Sequence, residues 1–347
     1  MRGDLVLDPS MLDEATEQRL VRENGGRGLI LPYRGFDPEA PPLVLVHGMK
    51  CSAEVLAPLL DALASRTSRQ PYVFVYDDTG RYLDRSGDDL ARALDELRRE
   101  GLTDKHPDVQ LIAHSMGGVV ARCALDSLAD PAWFPEFYGT TASGEPARVR
   151  GTEPDAVRGI RLERRLADEF RRVDLLTVDT PWHGFAEPHI QVRHAMEQEA
   201  SFVDMVANSA VMSLVNTVAL PRHFSVNHVE ADNLAAGVDL DKVMGLGELS
   251  VEDLELVVRF FRGEAGVLEG RLRIRNQLRA LQSEEDFPAL EGRLRSEAAS
   301  GLLTPARFLA LAANAVPRVA GTHNSVLDNP ELIDLIEETF VRSRRGG

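Results

Sequence analysis

Residues 109–118, Val109-Gln-Leu-Ile-Ala-His-Ser115-Met-Gly-Gly118, carry the strongest chemical signal in the chain. Val109, Leu111, Ile112 and Ala113 read as a buried strand. A polar pair and two glycines follow, and then Val119, Val120, Cys123, Ala124 and Leu128 recur near helical spacing. Strand, sharp turn with a serine at its apex, then helix is the context of a nucleophile elbow, where strained backbone lifts the hydroxyl clear of the sheet. Strand and helix nearly collide at such a turn, so the residues two before and two after the serine must be small. Ala113 and Gly117 are small. A serine hydroxyl is a weak nucleophile at neutral pH and needs a base, most often histidine, to take its proton during attack. A buried carboxylate then holds the imidazole in the productive tautomer and stabilises the imidazolium that forms.

The stretch resembles the Gly-x-Ser-x-Gly elbow of the α/β-hydrolases, in the Ala-His-Ser-Met-Gly-Gly form of some lipases and esterases, with Ala113 in place of the commoner glycine. Leu43-Val-Leu-Val46 is a second buried strand, closed by His47-Gly48-Met49. In the hydrolases it resembles, His-Gly-x at this point forms half of the oxyanion hole. The resemblance thus implies the backbone N–H groups of Met49 and Met116 as the two donors. A strand at Val173–Val178 ends in Asp179-Thr-Pro-Trp-His-Gly184, which is similar to the Thr-Pro-His-x-Gly loop of bacterial lipases and inositol-deacylase-like lipases. Here Trp182 pushes the histidine one place along; lecithin-acyltransferase relatives carry a Pro-Trp at the equivalent loop.

Near the carboxyl terminus, His323-Asn-Ser-Val-Leu-Asp-Asn-Pro resembles the terminal segment of the same lipases, and a loop histidine between the last strand and last helix is where this fold keeps its general base. The implied triad, in the fold's order of serine, acid and histidine, is Ser115, Asp232 and His323. Asp232 ends the strand where most members carry the acid; Asp179 ends the preceding strand, where a minority carry it, and is the alternative. His183 is the alternative base. His114, although beside Ser115, is expected to point away from it on the tight turn.

The elements that must position these residues alternate. A helix is expected over Glu54–Ser65, a strand over Tyr72–Tyr76, and a helix with Leu90, Ala93, Leu94 and Leu97 on its apolar face, Ser86 and Asp89 suggesting its cap. Such alternation predicts parallel strands with helical crossovers: an α/β, doubly wound, mostly parallel sheet of the α/β-hydrolase type with helical lid or cap insertions. Residues 4–8 and 28–31 read as short leading strands, and 129–170, interrupted by proline and glycine, as an irregular excursion. Residues 185–221 form a candidate lid insertion. There Val211, Leu214, Val215 and Val218 make an apolar face and Ser209, Ser213, Asn216 and Thr217 an uncharged polar one. That pattern suits a helix covering a lipophilic pocket, although periodicity alone favours a buried crossover helix. A strand follows over His223–Glu230. Residues 241–310 read as a charged helical insertion before the histidine, without a chemical role. A short strand near Pro317 precedes a terminal helix opened by Asn329-Pro330, with Leu332, Ile333, Leu335, Ile336 and Phe340 on its apolar face.

Composition narrows the function. The 347 residues are expected to form a single domain, 1–347. With 39 Lys and Arg against 55 Asp and Glu, the net charge of −16 argues against a nucleic-acid partner and against docking on anionic membranes, leaving transient contact with a neutral lipid interface open. The longest uncharged run, Met205–Pro221, is short and carries Asn208, Ser209, Ser213, Asn216 and Thr217, so no transmembrane segment is expected. No signal peptide is written at the amino terminus, which points to the cytoplasm, although export by another route or a trimmed mature chain would look the same. Two cysteines, Cys51 and Cys123, are too few for a disulfide scaffold. There is no His-Glu-x-x-His, and His223 and His228 fall on opposite faces of a strand; no metal site is expected, and the chemistry needs no cofactor. The sequence therefore predicts a serine hydrolase of carboxylic esters, its substrate a small-molecule or lipid ester. A lysophospholipase or acyltransferase with the same triad is the alternative. A non-catalytic binding module on the same fold is the rival from another class, against which stands the presence of both Ser115 and His323.

Overall fold

The computed structural model describes residues 5–49, 51–99, 108–133, 137–140, 146–149, 164–181, 200–205, 211–212, 215, 219–232, 259, 287–304, 318–320 and 324–337. The strands, in chain order, are β1 (Leu29–Pro32), β2 (Pro42–Val46), β3 (Gln70–Val75), β4 (Asp108–His114), β5 (Phe137–Thr140), β6 (Pro146–Val149), β7 (Arg172–Val178), β8 (Phe224–Asp232) and β9 (Arg318–Ala320). The helices are α1 (Glu14–Glu23), α2 (Ala57–Arg66), α3 (Leu83–Arg99), α4 (Met116–Ala129), α5 (Ala200–Met205), α6 (Phe287–Ala299) and α7 (Pro330–Ile336).

Seven strands form one sheet in the order β1-β3-β2-β4-β7-β8-β9. β1 pairs antiparallel with β3 at the edge, and every other pairing is parallel. Parallel strands are covered on both faces, which is why β2 and β4 read as near-continuous apolar runs. Successive side chains go to opposite faces. Val44, Val46, Tyr72, Phe74 and Leu111 join α3 and α4 in one core, whereas Leu43, Leu45, Val73, Val75 and Ile112 join α1, α2 and α7 in the other. Parallel strands also bring their carboxyl ends to one edge. The carboxyl ends of β2, β4, β7, β8 and β9 are therefore neighbours there in that order, the edge at which open α/β sheets place ligands.

Several sequence expectations are corrected. Ser86 does not cap a helix but lies buried inside α3, which begins at Leu83; the Leu83 N–H is taken by the Asp204 carboxylate of α5 at 2.9 Å. Of the leading strand expected at 4–8, the described residues form only an isolated bridge from Leu7 to Tyr33. The expected helix at 54–65 is a 3-10 turn, Ala53–Leu56, continued by α2. The excursion at 129–170 contains an antiparallel hairpin, β5–β6. In the candidate lid, Val211, Met212 and Val215 are buried in the core shared with α3 and α4; Ser209, Ser213, Asn216 and Thr217 lie outside the described residues, as does most of 241–310. At the other end α7 starts as expected, with Asn329 Oδ1 accepting the Glu331 N–H at 2.8 Å and Pro330 in the first turn.

Candidate active site

Ser115 follows the last residue of β4 and precedes the first of α4, and its backbone has φ 55° and ψ −134°. A non-glycine residue in that region stores strain on the order of 1–3 kcal/mol, tolerated where surrounding structure imposes it. Two contacts impose it here. The Ser115 N–H donates to the Val178 carbonyl of β7 at 2.9 Å, and the Ser115 carbonyl accepts the Gly118 N–H at 2.9 Å. Ser115 is left half-buried while its neighbours His114 and Met116 are buried, so the hydroxyl is the polar group this turn presents.

Small residues are needed here, though not all for the reason the sequence suggested. A Cβ on Gly117 would lie 2.3 Å from the His47 carbonyl oxygen and 2.7 Å from that of Val46. It is thus the end of β2, rather than β4, that demands glycine at 117. Gly48 closes against the serine itself: a Cβ there would stand 2.7 Å from Ser115 Cβ and 3.0 Å from its Oγ. The loop after β2 therefore runs directly beside the hydroxyl, and Met49 follows on it, half-buried against the core. The Met116 N–H belongs to the first turn of α4, where helix geometry supplies no intrahelical acceptor.

That loop is fixed by buried groups the sequence reading missed. The His47 ring is fully buried, with Nδ1 2.9 Å from the Gly48 carbonyl oxygen and Nε2 3.3 Å from Glu17 Oε2. The other Glu17 oxygen accepts the Ala53 N–H at 2.7 Å. Tyr76 donates its hydroxyl to the His47 carbonyl at 2.8 Å, and its ring lies 4.6 Å from the imidazole. Burial drives the His47 pKa down, but the Glu17 carboxylate, with Asp78 beyond it, outweighs burial and leaves it above the ordinary value. One signal in the sequence pointed to Glu17: it shares a helical face with Leu20 and Val21, so a charge falls on the buried stripe of α1.

The two candidate acids end neighbouring strands. Asp179 has φ 48°; its N–H donates to the Val229 carbonyl at 2.7 Å and its Oδ1 accepts the Ala231 N–H at 3.1 Å, stitching β7 to β8. Asp232 ends β8, its backbone in register with Ala320 at the end of β9. His323 comes three residues after Ala320 and lies outside the described residues, as do Trp182 and His183. Of the other histidines, His228 Nδ1 lies 2.8 Å from the Thr177 hydroxyl and His223 Nε2 3.0 Å from the Ala167 carbonyl, both away from the Ser115 turn in sequence and partnered within the sheet region. The thiol of Cys51 is pushed up to about 11 by burial, with Asp78 and Glu17 adding to it, and burial also holds Cys123 well above the usual thiol range. Both thiols stay protonated at neutral pH. Among the described residues no group of three or more His, Cys, Asp or Glu side chains is arranged to hold a metal, and no helix is long and apolar enough to cross a membrane.

No protein-family model and no curated protein matches the sequence. Solved structures do. The mature form of the Bacillus licheniformis lipase BlEst2 is 16% identical over 59% of this chain and 71% of its own, with a TM-score of 0.36; of the propeptide form this chain spans 39%. LpqC, a poly(3-hydroxybutyrate) depolymerase from Bordetella parapertussis, is 13% identical over 96% of both chains, with a TM-score of 0.38. Aspergillus fumigatus lipase B is 11% identical over 92% of this chain and 66% of its own, also with a TM-score of 0.38.

Proposed function

We propose, from its α/β-hydrolase fold, that this chain is a serine hydrolase of carboxylic esters working through an acyl-enzyme on Ser115. The observation that carries the proposal is the strained, half-buried serine at the carboxyl end of β4 with the Gly48 backbone set against its hydroxyl. Strain of this kind persists at functional sites because it presents a side chain that a relaxed turn would turn away.

In this mechanism Ser115 Oγ attacks the ester carbonyl carbon while His323 takes its proton. Asp232 holds the imidazole in the tautomer that accepts that proton. The carbonyl oxygen becomes an oxyanion and receives the N–H groups of Met49 and Met116. Fixed amide donors need no reorganisation as charge develops, and the positive end of the α4 dipole adds to them. Collapse expels the alcohol, protonated by His323; a water then attacks the acyl-enzyme by the same route and releases the acid. The support for Asp232 is its place at the end of β8, whose backbone runs beside β9 up to Ala320, three residues before His323. The proposed substrate is a lipid or acyl ester, held in contact with a neutral lipid interface only while it is being taken up.

The test is labelling with a fluorophosphonate probe beside turnover of p-nitrophenyl esters from acetate to palmitate. The folded protein should label once, at Ser115. Ser115→Ala should lose activity on the order of a millionfold, by analogy with serine proteases, with its unfolding transition retained. Full ester hydrolysis by Ser115→Ala would end the proposal.

A further inference from the structure

The Met49 N–H can serve as an oxyanion donor only if the peptide that carries it faces the right way. In a trans peptide the carbonyl and the N–H point in opposite directions, so whatever holds the Gly48 carbonyl aims the Met49 N–H. What holds it is Nδ1 of His47, 2.9 Å away. The other nitrogen of the same ring faces Glu17 Oε2 at 3.3 Å. Both ring nitrogens therefore face acceptors, inside protein that excludes water from the ring. A neutral imidazole has one N–H and one lone pair and can donate to only one of the two; an imidazolium donates to both.

We propose that Glu17 is a positioning residue for the oxyanion hole: by keeping both nitrogens of His47 protonated, it locks the Gly48–Met49 peptide with its N–H toward the nucleophile. The proposal rests on the reading of Ser115 as nucleophile and Met49 as donor. Among the described residues, the charged groups that act on His47 are Glu17 from α1 and Asp78 from the segment after β3, both carboxylates that favour the imidazolium. Tyr76 fixes the preceding carbonyl and carries no charge at neutral pH, its hydroxyl being held well above the usual range by burial.

The lock has a defined way to fail. When His47 loses one proton as pH rises through its raised pKa, the remaining one stays on Nε2, because the charged carboxylate there is the stronger acceptor. Nδ1 then turns a lone pair on the Gly48 carbonyl, and attraction becomes repulsion. Glu17→Gln reverses that choice. Its amide oxygen keeps the Ala53 N–H and its amide nitrogen donates to Nε2, so a neutral ring carries its single proton on Nδ1, facing Gly48. The lock then no longer needs the charge.

The experiment is steady-state kinetics on a soluble p-nitrophenyl ester from about pH 6 to about pH 10, a span that covers a raised histidine. Wild type, Glu17→Gln and Glu17→Ala are compared, each with fluorophosphonate titration of Ser115. The wild-type kcat should fall on the alkaline side with KM nearly constant, and Glu17→Gln should keep its kcat there. Glu17→Ala should lower kcat about 10- to 100-fold across the range, somewhat less than deletion of an oxyanion donor, with KM changed little and Ser115 still labelled to completion, more slowly. An alkaline loss that persists in Glu17→Gln, or a wild-type profile in Glu17→Ala, overturns the positioning role. Should Glu17→Ala fail to fold, the Glu17→Gln profile decides alone. Absence of label on wild-type Ser115 overturns the nucleophile reading itself, a distinct result.

Discussion

Asp179 and Asp232 end adjacent strands, and a carboxylate can stitch backbone with one oxygen and hold an imidazole with the other. Asp179 does the first: its Oδ1 bonds the Ala231 N–H. An asparagine keeps an acceptor oxygen for that bond and loses only the charge, so Asp179→Asn should reduce kcat by less than about tenfold. Asp232→Asn, in the proposed mechanism, sets the wrong tautomer on the base and should cost on the order of 10⁴ in kcat, as the equivalent change does in a serine protease. Kinetics on the two purified variants at one pH decide this, and the opposite ranking would transfer the acid to Asp179. The thiols offer no competing nucleophile at this scale, since Cys51 and Cys123 are both held protonated by burial and by neighbouring carboxylates.

At the scale of elements, the critical contact is the approach of α4 to the end of β2. The carbonyls of Val46 and His47 sit where a side chain at 117 would begin. These are backbone atoms and cannot rotate aside, so Gly117→Ala must push either α4 or the loop of His47-Gly48-Met49 outward. We expect it to destabilise the protein by more than the ~1–3 kcal/mol usual for overpacking, read as a lower urea midpoint at unchanged slope. The folded fraction should also label slowly with fluorophosphonate, because the same displacement moves both proposed oxyanion donors. An unchanged midpoint would show that α4 and β2 separate more easily than their backbone contact suggests.

Across the whole molecule, the first thirty or so residues are tied to the sheet by two buried carboxylates. Glu17 reaches from α1 to the loop after β2. Asp89 of α3 accepts the Gly28 N–H at 3.0 Å and pairs with Arg81 at 2.9 Å, while Arg81 also donates to the Gly26 carbonyl at 3.0 Å. Burial raises the Asp89 pKa, the opposing pull of Arg81 being the smaller effect, so the pair secures position at some electrostatic cost. Removing one member leaves the other charge without that partner in the interior. Asp89→Ala should therefore cost about 3–5 kcal/mol of stability by urea unfolding. The turnover of the folded fraction should stay near that of wild type, because Asp89 anchors the β1 edge of the sheet and not the loop after β2. A loss of turnover without loss of stability would contradict that division of labour.

What the sequence determined by itself is local. The elbow was legible because a buried strand, a serine and two glycines stand within ten residues, and the backbone they impose depends on neighbours in the chain. The Asn329-Pro330 helix start was legible for the same reason. The parallel sheet followed from alternating strand and helix patterns, which encode burial on both faces. Contacts between distant positions were decided only by the tertiary structure. Ser86 resembled a cap until Asp204, 121 residues away from Leu83, supplied the acceptor at the true helix start. Gly117 was assigned to crowding within its own elbow, and the crowding comes from β2. Glu17 carried no role in the sequence, and folding buries it against a loop 36 residues downstream. A single helix pattern shows that a carboxylate lies on an apolar stripe; which histidine it meets, and which peptide that histidine then orients, depends on how the strands are ordered across the sheet.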